Sequence, residues 1–387
     1  MQRRRSSAAF TIVVLVVMLA GALGMSVVLL LSGAPGALVV GMVLASLPVV
    51  PLIAAYLWLD RYEPEPRSLL ALGLGWGAFV ATAGALLLQI FDTVIFENTD
   101  AFNAVIVAPI TEEGAKGLFI VLLLVYRRQE LDGILDGIVY AGMVGIGFAF
   151  TENILYLTSA YMGSDGQTGG VGGAVGLFIV RCLFSPFAHP FFTAFIGIGV
   201  GIAVGSRSRS AQFLAPLAGY VVAVGAHAAW NGSLMIDGGQ NALSTYLFLM
   251  VPAFLLMIGF AVWSRRREGR VLTEALSDCA RRGFLDPAEV PWLARIPARR
   301  FARRYAEKTG GKPARRTMVA YQNEAVELGF LHSRYLRGVP PPDFVALGQE
   351  HVERLRALRS GLMWPRPSQS TGASPASMPT VGGPWAG

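Results

Sequence analysis

The sequence predicts an all-α polytopic membrane protein with about eight transmembrane helices. Of its 387 residues, 53% are hydrophobic and only 15% are charged, whereas soluble domains carry about 25% charged residues. Apolar runs long enough to cross the roughly 30 Å hydrocarbon core of a bilayer recur as far as about residue 264. The Lys and Arg residues between these runs alternate in a way that fits a membrane topology. The composition excludes an ordinary soluble domain and predicts a multi-pass protein of the cell membrane.

Each predicted span is a run of about 20 predominantly apolar residues, the length that a transmembrane helix needs. The first run follows three arginines and is longer than the roughly 7–15 apolar residues of a signal peptide, so we expect it to remain as an uncleaved helix. The eight runs lie near 9–32, 36–59, 68–95, 101–126, 136–160, 173–205, 213–235 and 242–264.

Basic residues occupy only every second connection between the predicted spans. The connections near 33–35, 96–100, 161–172 and 236–241 contain no Lys or Arg. The remaining ones hold Arg3, Arg4, Arg5, Arg61, Arg67, Arg127, Arg128, Arg207, Arg209, Arg265, Arg266 and Arg267. Because Lys and Arg concentrate in cytoplasmic loops, this alternation predicts that both termini are cytoplasmic.

The basic charge of the chain belongs to its C-terminal part. Residues 1–264, the predicted transmembrane domain, hold 11 Lys/Arg against 14 Asp/Glu, whereas the remainder holds 21 against 11. We expect 265–364 to form a small, basic, helical cytoplasmic segment and 365–387, rich in Pro, Ser, Gly and Thr, to be a disordered tail. Such a segment favours an anionic membrane surface as its partner, and no nucleic acid is expected.

Ionisable side chains occur well inside four of the apolar runs, away from the ends of each run. They are Glu112, Glu113 and Lys116 in the fourth run, Glu152 in the fifth, Arg181 and His189 in the sixth, and His227 in the seventh. One such group costs roughly 2.5–3.5 kcal/mol to insert, so several at similar depth indicate a buried functional site. The alternatives are an ion-pair network of the glutamates with Lys116 or Arg181, or side chains that join helices by hydrogen bonds.

The spacing within these motifs suggests chemistry. Lys116 follows Glu113 by three residues and Glu112 by four, within pairing reach of either on a helix. His227 and Asn231 are four residues apart and project from one helix face, where they could stabilise an oxyanion. Three functions remain open on these residues alone: an intramembrane enzyme, a proton- or ion-coupled transporter, and a non-catalytic membrane scaffold.

The motifs together resemble those of the PrsW-type intramembrane proteases, which are related to the CAAX prenyl protease and bacteriocin-processing superfamily. The matching features are the Asp60–Pro66 loop (DRYEPEP), Glu112-Glu113-x-x-Lys116, Phe148-x-x-x-Glu152-Asn153, His189 and His227-x-x-x-Asn231, in this order over about residues 45–235. The resemblance implies hydrolysis of a peptide bond in a membrane-protein substrate, such as a single-span anti-sigma factor whose cleavage releases a stress transcription factor.

Carried onto this chain, the resemblance implies that Glu112 or Glu113 activates water with help from His189 or His227, and that His227 and Asn231 stabilise the oxyanion. The predicted catalytic residues are Glu112, Glu113, Glu152, His189, His227 and Asn231, supported by Lys116, Asn153 and Arg181. The cofactor stays open between none and a divalent metal such as zinc. If a metal is present, the expected ligands are Glu113, Glu152, His189 and His227.

Overall fold

The computed structural model describes residues 2–31, 34–163, 169–235 and 240–365, and it confirms the all-α prediction. Within these ranges the chain is helical and contains no β-strand. The predicted disordered tail, 365–387, lies outside the described residues apart from its first position. The described chain divides into two compact units. The first comprises Met1–Asp60 and Pro64–Val262, and the second comprises Arg61–Glu63 and the chain from Trp263 onwards.

The helices of the first unit follow the apolar runs of the sequence. They are α1 (Gln2–Leu31), α2 (Pro35–Ser46), α3 (Val49–Leu59), α4 (Arg67–Gly75), α5 (Thr82–Phe96), α6 (Asp100–Phe102), α7 (Ala108–Tyr126), α8 (Ile134–Met162), α9 (Gly170–Phe178), α10 (Ala188–Gly205), α11 (Arg209–Met235), α12 (Ala242–Thr245) and α13 (Val251–Arg281), the last of which continues into the second unit. Within the first unit, π-helical turns lie at Trp76–Ala81, Asn103–Val107, Ile179–Phe184 and Tyr246–Met250.

Seven helical segments among the described residues are long and apolar enough to cross a membrane. They are Ala9–Leu30, Pro35–Leu59, Arg67–Phe96, Ile134–Met162, Gly170–Gly205, Arg209–Met235 and Ala242–Arg281. The fourth predicted span, 101–126, is not among these seven; it also coincides with a continuous helical stretch, but this stretch carries the charged side chains of Glu112, Glu113 and Lys116. Its passage through the membrane and the side of the termini remain predictions.

Helix α8 lies at the centre of the first unit, and small residues let its neighbours approach closely. A Cβ atom added at Gly147 would lie 1.9 Å from the Leu74 carbonyl oxygen, and one added at Gly137 would lie 2.0 Å from the Gly197 carbonyl oxygen. Small residues serve this purpose in membrane helices, where packing replaces the hydrophobic driving force. Because α8 is buried among its neighbours along most of its length, the helix that carries Glu152 is held in place by close packing.

The sixth span is interrupted at Pro186. The π-helical turn ends at Phe184, and α10 begins only at Ala188. Proline has no N–H and disrupts a helix interior, and non-helical backbone is tolerated at membrane depth where it lines a cavity. The break places His189 in the first turn of α10.

The second unit contains the end of α13 and three further helices, α14 (Val290–Ala294), α15 (Ile296–Leu336) and α16 (Phe344–Arg359). Its buried core includes Leu272, Leu293 and Leu328, with Tyr62 of the Arg61–Glu63 segment packed against it. Helix α15 is a hairpin of two arms, because Gly311 adopts a non-helical conformation with φ +70°, which glycine tolerates without strain.

Candidate active site

Three charged side chains of α7 form the innermost part of the site. Glu113 and Lys116 are fully buried, and Glu112 is 6% exposed. The Lys116 Nζ atom lies 2.7 Å from Glu113 Oε1 and 3.4 Å from Glu112 Oε2, and 3.8 Å from the centre of the Phe148 ring. One ammonium group therefore balances two carboxylates, with the closer contact to Glu113.

His227 of α11 is held by Glu113 in a defined tautomer. Its Nδ1 atom lies 3.0 Å from Glu113 Oε1, the same oxygen that receives the ammonium of Lys116. A carboxylate only accepts hydrogen bonds, so His227 donates from Nδ1, and its Nε2 lone pair points elsewhere. That Nε2 atom is 3.9 Å from Glu112 Oε2. The stacked Phe192 ring, 4.8 Å away, fixes the imidazole plane.

His189 of α10 uses both ring nitrogens within the site. Its Nδ1 atom is 3.1 Å from Lys116 Nζ and its Nε2 atom is 2.7 Å from Glu152 Oε2. Lysine only donates, so Nδ1 accepts a hydrogen bond and Nε2–H donates to Glu152. His189 thereby connects the charged group of α7 to Glu152 on α8.

Glu152 and Asn153 are joined to the π-helical turn before α10. Arg181 donates from Nη2 to Glu152 Oε2 and from Nε to Asn153 Oδ1 at 2.8 Å. Bonds from a guanidinium to a carboxylate are among the strong ones in proteins. The two cations of the site therefore have different partners: Lys116 pairs with Glu112 and Glu113, and Arg181 pairs with Glu152.

A cavity of about 610 Å³ opens onto one layer of these residues. Its lining includes Glu112, Glu152, His189, His227 and Asn231. Glu113 and Lys116 are not part of the lining, although both contact residues that are. The site has a layer that faces the cavity and a fully buried layer behind it.

The structure brings every predicted site residue to this cavity or to a residue that lines it. The predicted role of Asn231 needs one qualification, because its Nδ2 atom already donates to the Ala104 carbonyl oxygen at 2.8 Å. That oxygen lies in the π-helical turn before α7. An amide NH₂ carries two hydrogens, so the second can donate to a group in the cavity.

Two contacts to the glutamates were not predicted. The Thr193 hydroxyl, fully buried, donates to Glu113 Oε2 at 2.9 Å, and Gln89 Nε2 lies 3.4 Å from Glu112 Oε1. The sequence could have pointed to Thr193, because it follows His189 by four residues and therefore lies on the same helix face. It could also have pointed to Gln89, because an amide side chain is unusual inside an otherwise apolar run.

A trio of cavity-lining donors has the chemistry of a metal site. Glu112, His189 and His227 each offer one ligand atom within 4.8 Å of the others. One carboxylate and two imidazoles form a donor set found in catalytic zinc sites, and the bond from His227 to Glu113 is the kind that orients a histidine ligand. This trio differs from the predicted ligand set, because Glu112 takes the place of Glu113 and Glu152 pairs with Arg181.

The acidic loop between α3 and α4 forms a separate buried group. The Asp60 Oδ2 atom accepts the Glu65 N–H at 2.9 Å, and Glu65 Oε2 accepts the Tyr140 hydroxyl at 2.6 Å. Burial, with a smaller contribution from the nearby Asp136, raises the pKa of Asp60 to about 7. Burial likewise raises the pKa of Glu65 well above its ordinary value. The loop is tied to α8 at a helix turn well before Glu152.

Comparison with known proteins identifies one family. The family model described as PrsW family intramembrane metalloprotease matches residues 65–257. Protease PrsW of Geobacillus kaustophilus (strain HTA426) is 30% identical over 150 residues, which cover 39% of this chain and 60% of that protein. Protease PrsW of Bacillus subtilis (strain 168) is 25% identical over 224 residues, 58% of this chain and 93% of that protein. No solved structure matches the chain.

Proposed function

Because the chain belongs to the PrsW family of intramembrane proteases, we propose that it is a multi-pass membrane endopeptidase that hydrolyses a peptide bond of a membrane-protein substrate. One observation carries the proposal. Glu112, His189 and His227 come from three different helices and line the same cavity inside an apolar helical unit. Hydrolysis of a peptide bond needs groups that accept and donate protons to activate water, and carboxylate and imidazole side chains are such groups.

Glu112 and His227 act on the attacking water. The 3.9 Å between Glu112 Oε2 and His227 Nε2 is too long for a hydrogen bond and leaves both atoms able to accept one from a molecule between them. Both residues line the cavity, where a substrate carbonyl can approach. Glu112 takes the proton from water and later gives it to the leaving amine.

Glu113 and Lys116 position these groups from behind. The carboxylate of Glu113 holds His227 in the tautomer with a free Nε2 atom, and Thr193 and Lys116 hold Glu113. Lys116 also offers a hydrogen bond to His189, whose second nitrogen donates to Glu152. None of these atoms needs to move during the reaction, which is the condition for effective preorganisation.

The oxyanion that forms during attack needs a hydrogen-bond donor in the cavity. Asn231 supplies the second N–H of its side-chain amide, while its first N–H is used by the Ala104 carbonyl oxygen and fixes the amide plane. Removing one such donor from a protease typically lowers kcat by about 10²–10³-fold.

A divalent metal fits the donor set of Glu112, His189 and His227. His227 presents its free Nε2 atom, whereas His189 joins such a site by exchanging one of its two present partners, Lys116 or Glu152. When bound there, a divalent ion lowers the pKa of water and polarises a carbonyl oxygen. The roles of Glu113 in orienting His227 and of Asn231 in binding the oxyanion are the same with the ion present.

The proposed substrate is a membrane protein whose chain unwinds locally at the cavity. Backbone groups in a membrane helix are bonded to each other, so hydrolysis requires that a segment leave its helix before its carbonyl reaches Glu112. A single-span anti-sigma factor or a similar protein satisfies this description.

The test is a comparison of membrane proteomes with enrichment of N-terminal peptides. Cells carrying the native protein are compared with cells carrying Glu112→Gln at equal abundance, under ordinary growth and under envelope stress. Glu97→Gln serves as the matched control, because Glu97 is exposed and does not line the cavity. We expect new N-termini with the native protein and the control, and none with Glu112→Gln. Identical profiles for all three would contradict proteolysis and favour ion transport or a scaffold.

A further inference from the structure

The hairpin formed by α15 concentrates positive charge on the second unit. From Arg295 to Arg316 the chain has nine Lys and Arg residues and a single acidic residue, Glu307. Most of the cationic side chains are exposed. The exposed ones are Arg295, Arg300, Arg304, Lys308, Lys312, Arg315 and Arg316.

The two arms of the hairpin pack through small residues, which directs the long side chains outwards. Ala302 and Ala306 of the first arm and Ala314 and Met318 of the second are buried together. Gly311 makes the turn between the arms. Because the apolar faces meet each other, the exposed cations lie on the outer side of the two arms, and we name this segment the basic hairpin (295–316).

The basic hairpin has very little internal charge compensation. Among the residues that the structure describes, its one carboxylate contact within 4 Å joins Arg315 to Glu307, at 3.4 Å. The buried Arg299 donates to the Leu293 and Tyr62 carbonyl oxygens, and its pKa is lowered to about 10 by burial and then by the neighbouring Arg303. Like charges therefore stay close together, with Glu307 the single carboxylate among nine cations in this segment.

An aromatic side chain stands among these cations. Phe301 is 50% exposed and stacks on Trp292 with ring centres 5.9 Å apart. Aromatic rings beside Lys and Arg are typical of surfaces that insert into the headgroup region of a bilayer. A surface for nucleic-acid phosphates would use the same cations, but an exposed phenylalanine alone does not identify a base-stacking platform.

We propose that the basic hairpin binds the anionic surface of a lipid bilayer through the phosphates of its headgroups, with Phe301 at the acyl boundary. Charge complementarity carries the proposal, and the attachment of the same chain to the membrane by its apolar helices keeps the hairpin at high effective concentration near lipid. Attraction of this kind acts within a Debye length, about 8 Å at physiological ionic strength.

The experiment uses the full-length protein in nanodiscs of phosphatidylcholine alone or with phosphatidylglycerol. A fluorophore is attached through Thr309→Cys at the exposed end of the first arm, because the native Cys182 and Cys279 are buried. A lipid-borne quencher reports its contact with the bilayer. We expect quenching in anionic discs that salt reverses, and little quenching in neutral discs.

Two variants with the same loss of charge decide the outcome. Arg300→Gln, Arg304→Gln and Lys312→Gln together should weaken the bound state on the order of 100-fold. The control, which neutralises the exposed Arg281, Arg354 and Arg356 of the same unit, should leave quenching unchanged. Equal quenching in both lipids, or an equal loss in both variants, would overturn the proposal. Binding of a labelled RNA or DNA duplex without lipid-dependent quenching would assign the hairpin to nucleic acid. None of these readouts depends on proteolysis.

Discussion

Replacing either adjacent glutamate by glutamine should separate a positioning residue from a catalytic one. Glu113 is fully buried and accepts hydrogen bonds from Lys116, His227 and Thr193. Glu112 faces the cavity and has only long contacts, 3.4 Å to Lys116 and 3.4 Å to Gln89. The two substitutions make the same chemical change at neighbouring positions, so each is the control for the other.

The structure sets the expected magnitudes. Glu113→Gln removes the closer partner of a buried ammonium, and breaking a buried ion pair costs about 3–5 kcal/mol. Glu112 remains near Lys116, so we expect the low end, about 3 kcal/mol. Glu112→Gln leaves the 2.7 Å pair between Lys116 and Glu113 intact and should cost about 1 kcal/mol or less.

Activity should follow the opposite order. Glu112→Gln removes the group that accepts the proton from water and should lower kcat by more than about 10³-fold. Glu113→Gln leaves a neutral acceptor for His227 Nδ1–H, and loss of such an orienting partner typically costs about 10–100-fold. The assay measures kcat on an identified substrate in proteoliposomes, together with thermal unfolding of both variants in the same detergent.

One combination of results would exclude Glu112 as the catalytic base. If Glu113→Gln unfolds like the native protein but has no activity, while Glu112→Gln retains activity, then Glu113 is the base and the assignment to Glu112 is wrong. Equal destabilisation by both substitutions would show that the two carboxylates share Lys116 evenly, against the distances of 2.7 Å to Glu113 and 3.4 Å to Glu112 in the structure.

Three further predictions concern the metal, pH and helix packing. If Glu112, His189 and His227 hold a metal, purified active protein should contain near-stoichiometric divalent metal by elemental analysis, lost in His227→Ala, and active protein without metal would contradict that version of the site. Because folding raises the pKa of Asp60 from 3.8 to about 7, the native protein should lose stability as the pH rises through this range. Asp60→Asn should remove this loss. Between about pH 5 and about pH 8, the free energy of unfolding of the native protein should therefore fall by about 2–3 kcal/mol relative to that of the variant, as measured by thermal melts. Gly147→Ala should lower the melting temperature by several degrees, because its Cβ atom would meet the Leu74 carbonyl oxygen, whereas Gly225→Ala, with open space around it, should not; equal shifts would contradict close packing as the cause.

Local sequence was sufficient for most of the helices. Hydropathy over about 20 residues is a property of the segment itself, because an apolar helix is stable in a bilayer before it meets its neighbours. The predicted runs at 136–160 and 213–235 accordingly lie inside Ile134–Met162 and Arg209–Met235. The continuation of the last span through residue 264 to Arg281 was not foreseen, because charged residues end an apolar run but not a helix.

The residues of the candidate site could also be predicted, because ionisable groups are costly in an apolar span whatever surrounds them. Their pairing could not. Helix geometry places Glu112 and Glu113 about 100° apart, which shows that they face different neighbours but not which neighbour each one meets.

Those neighbours come from distant parts of the chain. Glu113 meets Thr193 and His227, 80 and 114 residues away, and Glu152 meets Arg181, which lies on the next span. The sequence by itself determined which helical segments carry the ionisable side chains of the site. Only the packing of α7, α8, α10 and α11 decided that Glu112 faces the cavity and Glu113 the interior, because that choice depends on the side chains that other helices bring to each face.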